Sequence, residues 1–347
     1  MMKLLRRIDP ELAHRAALRA LQLGLVRGHR PEDDPILGTD AFDLPFRNPI
    51  GLAAGFDKNA EALGGLARLG FGFVETGTVT PRAQAGNPRP RLFRLSEDGA
   101  VVNRMGFNNR GLDAYVARLK HRRTRDVPVG ANIGINQSGA DPERDYPMLL
   151  SAVAPFVEYV VINVSSPNTA GLRDLQHGDR LGAILRAAVR RVPDHPPLLV
   201  KIAPDLSDDE LGATVEVCIE NGVQGLIVSN TTVQRPAALR SSHAREPGGL
   251  SGRPLFALST AMLARAYLLA RGRLTFVGVG GIASGEDALT KLKAGATLVQ
   301  LYTAMTFEGP GIASRLKREL AAALRREGFA NAREAVGAEA PRLAAIA

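Results

Sequence analysis

The feature that most restricts the fold of this chain is an alternation of short apolar runs with helical segments, repeated from Thr39 onward. The runs are nearly continuously apolar, which is typical of strands buried on both faces of a parallel sheet. The predicted strands are 49–53, 73–79, 127–133, 159–164, 198–202, 225–229, 275–279 and 298–302. Helical segments between them include 112–121, 181–192, 208–220, 255–271 and 286–294. Eight such units predict an α/β fold, a (β/α)8 TIM barrel.

The pattern divides the chain into an N-terminal helical extension (1–33), the barrel (34–327) and a tail of unassigned role (328–347). Asp9, Pro10 and Glu11 form a typical helix start. A shorter basic helix is predicted before Asp9. The following helix carries an apolar face with arginines opposite, which suits a membrane interface. Its predicted apolar positions are Leu12, Ala13, Ala16, Ala17, Ala20, Leu21, Leu23 and Leu25. A helical hairpin packed on the barrel is the alternative.

Charge and cysteine content limit the classes of function. The formal charge is +9, from 44 Lys+Arg against 35 Asp+Glu, which favours an anionic partner or reflects an arginine-rich composition. The single cysteine, Cys218, excludes an intramolecular disulfide and a cysteine-ligated metal or iron–sulfur site, so we predict no metal. No run approaches the roughly 20 apolar residues of a membrane span, and no signal peptide is evident, so we expect a cytosolic protein. No segment suggests nucleic-acid binding.

Polar residues and glycines fall just after nearly every predicted strand, which is the catalytic end of a barrel. One such residue alone is usually a turn or cap residue, but the full set is harder to explain by turn chemistry. Two long inserts, 80–103 and 231–252, also follow strands and should lie at this end. The residues at the strand ends are Lys58, Thr78, Asn132, Asn163, Ser166, Asn168, Lys201, Ser229, Asn230, Thr231, Gly280, Gly281, Tyr302 and Thr303.

Three groups of these residues indicate ligand types. The GVGGI loop after the seventh strand, with the loop after the eighth, is the usual phosphate site of a barrel; simple tight turns are the alternative. Lys58 and Lys201 should lie away from bulk water, where a lysine needs an anion; loop surface is the alternative. Several asparagines offer donors and acceptors that suit a planar ring edged with amides. These are Asn103, Asn163, Asn168 and Asn230.

Nine segments resemble the dihydroorotate dehydrogenase family, specifically its membrane-associated, quinone-using class. They are AAGFDKNA, GTVTPRAQAGNPRPRLFRL, NRMGFNN, NVSSPNTAGLRDLQ, VKIAPDLS, SNTT, GGLSGRPL, GVGGI and LVQLYTA. The match runs in order from about residue 8 to 325. The resemblance implies oxidation of (S)-dihydroorotate to orotate in de novo pyrimidine (UMP) biosynthesis, with FMN as hydride acceptor and a membrane quinone as final acceptor. It also implies a peripheral protein on the cytoplasmic side of the cell membrane, bound to the lipid surface.

The resemblance also assigns site residues. Ser166 matches the catalytic base, and His14, Arg94 and Tyr302 match positions near the quinone; an exposed helix histidine is the alternative for His14. Cofactor contacts would be Ala54, Gly55, Phe56, Asp57, Lys58, Thr78, Asn132, Asn163, Lys201, Ser229, Gly252, Gly281, Tyr302 and Thr303. Substrate contacts would be Lys58, Asn103, Arg104, Met105, Gly106, Phe107, Asn163, Asn168, Asn230 and Thr231. Ile135 and Ser229 depart from the family's usual lysine and threonine.

Other classes of function remain as alternatives at this point. A dihydropyrimidine or dihydrouridine reductase would be expected to use a cysteine acid near the flavin, yet Cys218 is predicted mid-helix. The cytosolic class of the same family also uses a cysteine base, and nothing suggests the iron–sulfur partner subunit of one of its subclasses. A non-redox lyase or isomerase could use Lys201. A non-enzymatic scaffold gives no reason for so many polar strand ends.

Overall fold

A computed structural model of the protein describes residues 8–26, 32–122 and 126–346. Except for Ile8, the short helix predicted before Asp9 lies outside these residues. In this part of the chain, no helix is long and apolar enough to cross a membrane.

Eight parallel strands close into a barrel, which confirms the predicted TIM-barrel class. In order around the barrel they are β3 (Ile50–Leu52), β4 (Phe73–Val79), β7 (Val129–Ile133), β8 (Tyr159–Asn163), β9 (Leu198–Ile202), β10 (Gly225–Val228), β12 (Thr275–Val279) and β13 (Leu298–Leu301). The barrel closes where Val299 of β13 pairs with Ile50 of β3. β7 begins at Val129 rather than at the predicted residue 127. Pro128 precedes it and lacks the N–H that a ladder needs.

Helices connect the strands and form the outer layer. In chain order they are α1 (Pro10–Gln22), α2 (Leu63–Ala67), α3 (Leu112–Lys120), α4 (Pro142–Val153), α5 (Gly178–Arg191), α6 (Asp208–Glu220), α7 (Phe256–Ala270), α8 (Gly285–Lys293), α9 (Thr303–Glu308), α10 (Ile312–Arg326) and α11 (Ala340–Ala344). Ser207 and Ser284 form capping boxes with Glu210 and Asp287, which fixes the starts of α6 and α8.

Five further strands lie outside the barrel and were not predicted. The hairpin of β1 (Thr39–Ala41) and β2 (Leu44–Phe46) packs against apolar side chains inside the barrel, with the Phe46 and Phe73 rings 5.5 Å apart. The other three are β5 (Leu92–Leu95), β6 (Ala100–Asn103) and β11 (Gly249–Gly252). They form an antiparallel sheet that joins the two long inserts, because β6 pairs with both β5 and β11.

The helix α1 packs on the barrel through one part of its predicted apolar face. Ala13 and Leu21 are buried, whereas Leu12 and Leu23 remain exposed. The carboxylate of Asp9 accepts the Leu12 N–H at 2.8 Å and caps the helix. The contact with α2 is close enough that a Cβ at Gly65 would lie 2.5 Å from the Leu21 carbonyl oxygen.

The tail, given no role from sequence, packs onto the helical layer. Leu343 of α11 is buried, and the Gly337 N–H donates to the Leu292 carbonyl at 3.0 Å. A buried ion pair of 2.6 Å joins Asp33, after α1, to Lys317 of α10. Both ends of the described chain are therefore attached to the barrel.

Candidate active site

A cavity of about 810 Å³ opens at the carboxyl ends of the barrel strands. Its walls come from the strand-end loops, the insert sheet, α1 and α9. The sequence-predicted residues that line it are His14, Ala54, Gly55, Phe56, Lys58, Thr78, Arg94, Asn103, Met105, Gly106, Phe107, Asn163, Ser166, Asn168, Lys201, Ser229, Asn230, Thr231, Gly252, Gly280, Gly281, Tyr302 and Thr303. The fold therefore brings into one space residues that are up to 289 positions apart, from His14 to Thr303.

Three predicted contacts do not line the cavity. The Asp57 carboxylate accepts the N–H groups of Glu61 and Ala62 at 2.8 and 2.7 Å, so it shapes the loop after β3. The Arg104 guanidinium turns away and pairs with Glu246 at 2.8 Å. Asn132 is fully buried in the barrel wall. The polar atoms of these three side chains have protein partners.

Side-chain amides form a connected network in the wall of the cavity. Asn163 donates to Thr78 Oγ1 at 3.1 Å and to Asn132 Oδ1 at 3.0 Å. Nearer the opening, Asn168 donates to Asn103 Oδ1 at 3.2 Å. Neighbouring side chains therefore hold these amides in fixed orientations. Such a wall suits a ligand with several polar edges.

The structure separates the two serines of the NVSSPN loop. The Ser165 hydroxyl is engaged by Asn163 and Asn230, at 3.1 and 2.9 Å, and does not line the cavity. Ser166 lines it and is nearly buried, with Oγ accepting the Asn168 N–H at 3.3 Å. Only Ser166 is therefore positioned to meet a ligand.

An arginine that sequence analysis missed holds this serine loop. Arg173 donates to the Ser165 carbonyl at 3.2 Å, to the Thr231 carbonyl at 2.9 Å and to Asp205 at 2.8 Å. It therefore joins the loops after β8, β9 and β10. The sequence shows this arginine in the motif GLRDLQ. It does not show its hydrogen-bond partners, because two of them lie in loops that are distant in sequence.

Two lysines line the cavity: Lys58, in the loop after β3, and Lys201, in β9. Burial lowers the pKa of Lys201, and the negative charge of Glu75 opposes this. Burial lowers the pKa of Lys58 to about 8, with the positive charge of Arg91 acting in the same direction. A bound anion would restore the preference of each lysine for its charged form.

A buried carboxylate, also missed from sequence, lies in the barrel wall below the amides. Glu75 of β4 accepts from Asn132 at 2.8 Å and from Gln300 at 2.7 Å. These bonds orient Asn132 so that its oxygen accepts from Thr78 Oγ1 at 2.5 Å. The sequence signal for this residue was a single charge inside the otherwise uncharged strand FVETGTV. A strand buried on both faces does not normally carry a charged residue.

Glycines form the part of the cavity wall that lies at the ends of β11 and β12. Gly281 has φ of +80°, and a Cβ there would lie 2.5 Å from Phe256 Cβ. Gly252 has φ of +96°, and a Cβ there would lie 2.4 Å from the Gly99 carbonyl oxygen. Both positions require glycine, which leaves the backbone accessible to a ligand.

An aromatic group stands where α1 meets the cavity. The rings of His14, Phe56 and Tyr302 pack together, with centroid separations of 5.1 Å for His14–Phe56 and 5.6 Å for Phe56–Tyr302. Burial, and then the charge of Lys58, lower the pKa of His14 to about 3, so its imidazole is neutral at neutral pH. Because it packs against these rings, His14 is not an exposed helix residue. Arg94, the third residue predicted near the quinone, donates to the Ile8 carbonyl at 2.8 Å.

An ion-pair cluster fastens α1 to the first insert. Glu11 accepts from Arg89 at 2.7 and 3.0 Å and from Arg91 at 2.9 and 3.1 Å. Burial alone would raise the pKa of Glu11, but the hydrogen bonds from Arg91 and Arg89 outweigh it and lower the value to about 2. Glu11 is therefore ionised throughout the physiological range.

Three remaining residues complete the sequence expectations. Ile135, which departs from the family pattern, is buried in the main core. The Ser229 hydroxyl donates to the Asn230 carbonyl at 3.0 Å. Cys218 is fully buried on α6 and does not line the cavity, so it cannot serve as an acid or base there.

Comparison with known proteins identifies the family. The family model described as dihydroorotate dehydrogenase matches residues 36–324. A dihydroorotate dehydrogenase (quinone) from Rhodospirillum rubrum is 52% identical over 338 residues, covering 96% of this chain and 92% of the relative. One from Azorhizobium caulinodans is 52% identical over 339 residues, covering 95% of each. The crystal structure of DHODH from Eimeria tenella in complex with ferulenol has a TM-score of 0.92 at 43% identity, with 95% of each chain covered. The chain belongs to the dihydroorotate dehydrogenase family, in its quinone-dependent class.

Proposed function

We propose that the protein oxidises (S)-dihydroorotate to orotate in pyrimidine biosynthesis, using FMN as hydride acceptor and a membrane quinone as final electron acceptor. The observation that carries this proposal is a cavity in which Ser166 stands among fixed amides and two lysines. Bound FMN would supply a two-electron acceptor for the hydride that leaves the substrate ring.

The cavity fits FMN in its charge and in its backbone. The glycine loops bring backbone without side chains to the cavity, where a phosphate would bind, and Lys201 offers a buried positive charge to an anionic ring. The residues proposed to hold FMN directly are Ala54, Gly55, Phe56, Lys58, Thr78, Asn163, Lys201, Ser229, Gly252, Gly281, Tyr302 and Thr303. Asn132 would support them by orienting Thr78, and Asp57 by shaping the loop after β3 that carries Lys58.

The amide network is proposed to bind the substrate ring. Dihydroorotate has amide edges and one carboxylate, which match the asparagine side chains and the charge of Lys58. The residues proposed to bind it are Lys58, Asn103, Met105, Gly106, Phe107, Asn163, Asn168, Asn230 and Thr231. Arg104 would act indirectly, because its ion pair with Glu246 fixes the start of this loop.

Ser166 is proposed as the base that removes the C5 proton of dihydroorotate. A serine hydroxyl is a weak base, so it must release its own proton as it accepts the new one. Thr169 is buried close in sequence, and its hydroxyl has no hydrogen-bond partner among the described residues. We assign Thr169 as a member of the relay that takes this proton.

The aromatic group is proposed as the quinone end of the site. It lies between the cavity and α1, and Tyr302 Oη approaches His14 Nδ1 at 3.4 Å. Residues 1–33 would contact the bilayer, where a hydrophobic quinone is concentrated. The proposed location is peripheral, on the cytoplasmic side of the cell membrane, with His14, Arg94 and Tyr302 near the quinone.

A half-reaction experiment tests this function. The purified protein should show flavin absorption bands that bleach on anaerobic addition of dihydroorotate and return on addition of quinone in lipid vesicles. Ser166→Ala serves as the control that should keep the bands but bleach slowly. Protein without flavin bands, or bands unaffected by dihydroorotate, would contradict the proposal.

A further inference from the structure

Lys291 is a buried cation that the proposed mechanism does not use. It lies on α8, is fully buried and does not line the cavity. Its ammonium group donates to Ser259 Oγ at 2.7 Å and lies 3.5 Å from the Val279 carbonyl oxygen. The Phe256 ring centroid is 5.1 Å away. Within the part of the chain that the structure describes, this ammonium forms no ion pair with a carboxylate.

The partners of Lys291 lie on α7 and at the end of β12, next to the glycine loop that follows β12. The Ser259 hydroxyl lies 3.2 Å from the Gly280 carbonyl oxygen and 3.2 Å from the Phe256 carbonyl oxygen. Gly280 and Gly281 have φ of +107° and +80°, and both line the cavity. Lys291 therefore lies directly behind the loop, and a hydrogen bond through Ser259 connects it to the loop backbone.

A charge in this place favours an anion on the cavity side of the loop. Burial lowers the pKa of Lys291 well below the usual lysine range, although the negative charge of Asp287 acts in the opposite direction, so the ammonium form remains costly. An anion across one layer of backbone would offset this cost, because charges interact strongly where water is excluded. The loop also fixes φ angles that only glycine adopts readily, so its shape needs support from behind.

We propose that Lys291 is a positioning residue for the phosphate end of FMN. It supports the Gly280–Gly281 loop through Ser259 and supplies a positive charge behind the loop. This inference rests on the proposed use of FMN. It predicts a specific dependence on the phosphate, since riboflavin has the same ring and ribityl chain but no phosphate.

The test compares FMN and riboflavin binding to the apoprotein by flavin fluorescence quenching. Lys291→Met should weaken FMN binding by about tenfold to hundredfold, the range for losing a charged hydrogen-bonding group. Riboflavin binding should change less than about threefold. Lys317→Met is the matched control. It removes another buried lysine, which lies on α10, pairs with Asp33 and does not line the cavity. It should leave the ratio of FMN to riboflavin affinity unchanged.

Ser259→Ala provides a second variant that keeps the lysine and removes the link to Gly280. It should also weaken FMN more than riboflavin. Equal weakening of both ligands in the two variants would show a general packing role and overturn the inference, as would unchanged FMN binding in Lys291→Met. The wild-type protein tests the proposed function separately: if it binds neither flavin, the FMN proposal itself fails, whatever the variants do.

Discussion

The clearest quantitative prediction concerns Glu11, which fastens α1 to the first insert. In Glu11→Gln the side chain keeps its size but loses its charge, and Arg91 keeps a buried guanidinium without a carboxylate. The side chain of Arg91 is only 5% exposed, whereas that of Arg89 is 58% exposed. The Arg91 interaction therefore dominates, and the exposed Arg89 interaction contributes little.

The magnitude follows from this asymmetry. Removing one partner of a buried ion pair costs about 3–5 kcal/mol. Glutamine can still accept a hydrogen bond, and the cluster stands at the edge of the molecule, so we expect about 2–3 kcal/mol. At about 1.4 kcal/mol per tenfold change, the population of undocked α1 should rise about 30- to 140-fold. The Leu21 contact with α2 remains and limits the effect to this helix.

Hydrogen exchange read by mass spectrometry measures the effect directly. Amides of α1 should exchange faster in Glu11→Gln, while those of the barrel strands should not. Flavin reduction by dihydroorotate should persist, and reoxidation by a membrane quinone should slow. Glu143→Gln, at an exposed glutamate on α4, is the control and should behave like the wild type. Unchanged exchange in α1, or equally faster exchange throughout the barrel, would refute the reasoning.

The same cluster predicts a pH dependence. The pKa of Glu11 is lowered to about 2 in the folded protein, from a usual value near 4.5. A lowered carboxyl pKa contributes stability that is complete above the unfolded value and is lost as the pH falls toward the folded value. The difference in α1 docking between wild type and Glu11→Gln should therefore be full at pH 7 and shrink between about pH 4.5 and 2. Exchange rates at several pH values provide the measurement.

Three further predictions concern the proposed roles of the cavity and of the N-terminal segment. Ser166→Ala should keep FMN and slow flavin reduction by about two to four orders of magnitude, and Ser166→Cys should recover part of that rate; near-normal single-turnover reduction in the alanine variant would contradict the role. Lys201→Ala should lose most FMN on purification, whereas Lys58→Ala should keep it and turn over dihydroorotate poorly; equal flavin loss would contradict this division. Removal of residues 1–26, which spares the ion pair of Asp33, should weaken sedimentation with anionic vesicles and leave flavin reduction intact.

The barrel could be predicted because its signal is local. Each strand is a short apolar run, and each helix carries its own start signal, such as the serine caps of α6 and α8. Parallel strands place their carboxyl ends together, so nearly all of the predicted strand-end residues also line the cavity, with Asn132 as the exception. Ser166, Lys58 and Lys201 entered the site by this reasoning and by the family motifs.

The tertiary structure decided which of those residues face the cavity. Asp57, Arg104 and Asn132 stand in the same motifs as their neighbours, yet each turns toward protein partners. The direction in which each side chain points depends on which donors and acceptors are nearest in space, and these come from other loops. The same reason separates Ser165 from Ser166, which sequence alone treats as adjacent hydroxyls.

The contacts between distant segments were decided by the tertiary structure as well. Glu11 meets Arg91 across 80 positions, and Lys291 meets Ser259 across 32. From sequence alone, a charged residue in a predicted helix is expected to face solvent. Only the packed structure shows whether another element covers it. The sequence determined the barrel, its catalytic end and its family, because these follow from periodicity and local motifs. Only the packed structure determined which charges are buried, since burial is a property of the neighbours that folding brings together.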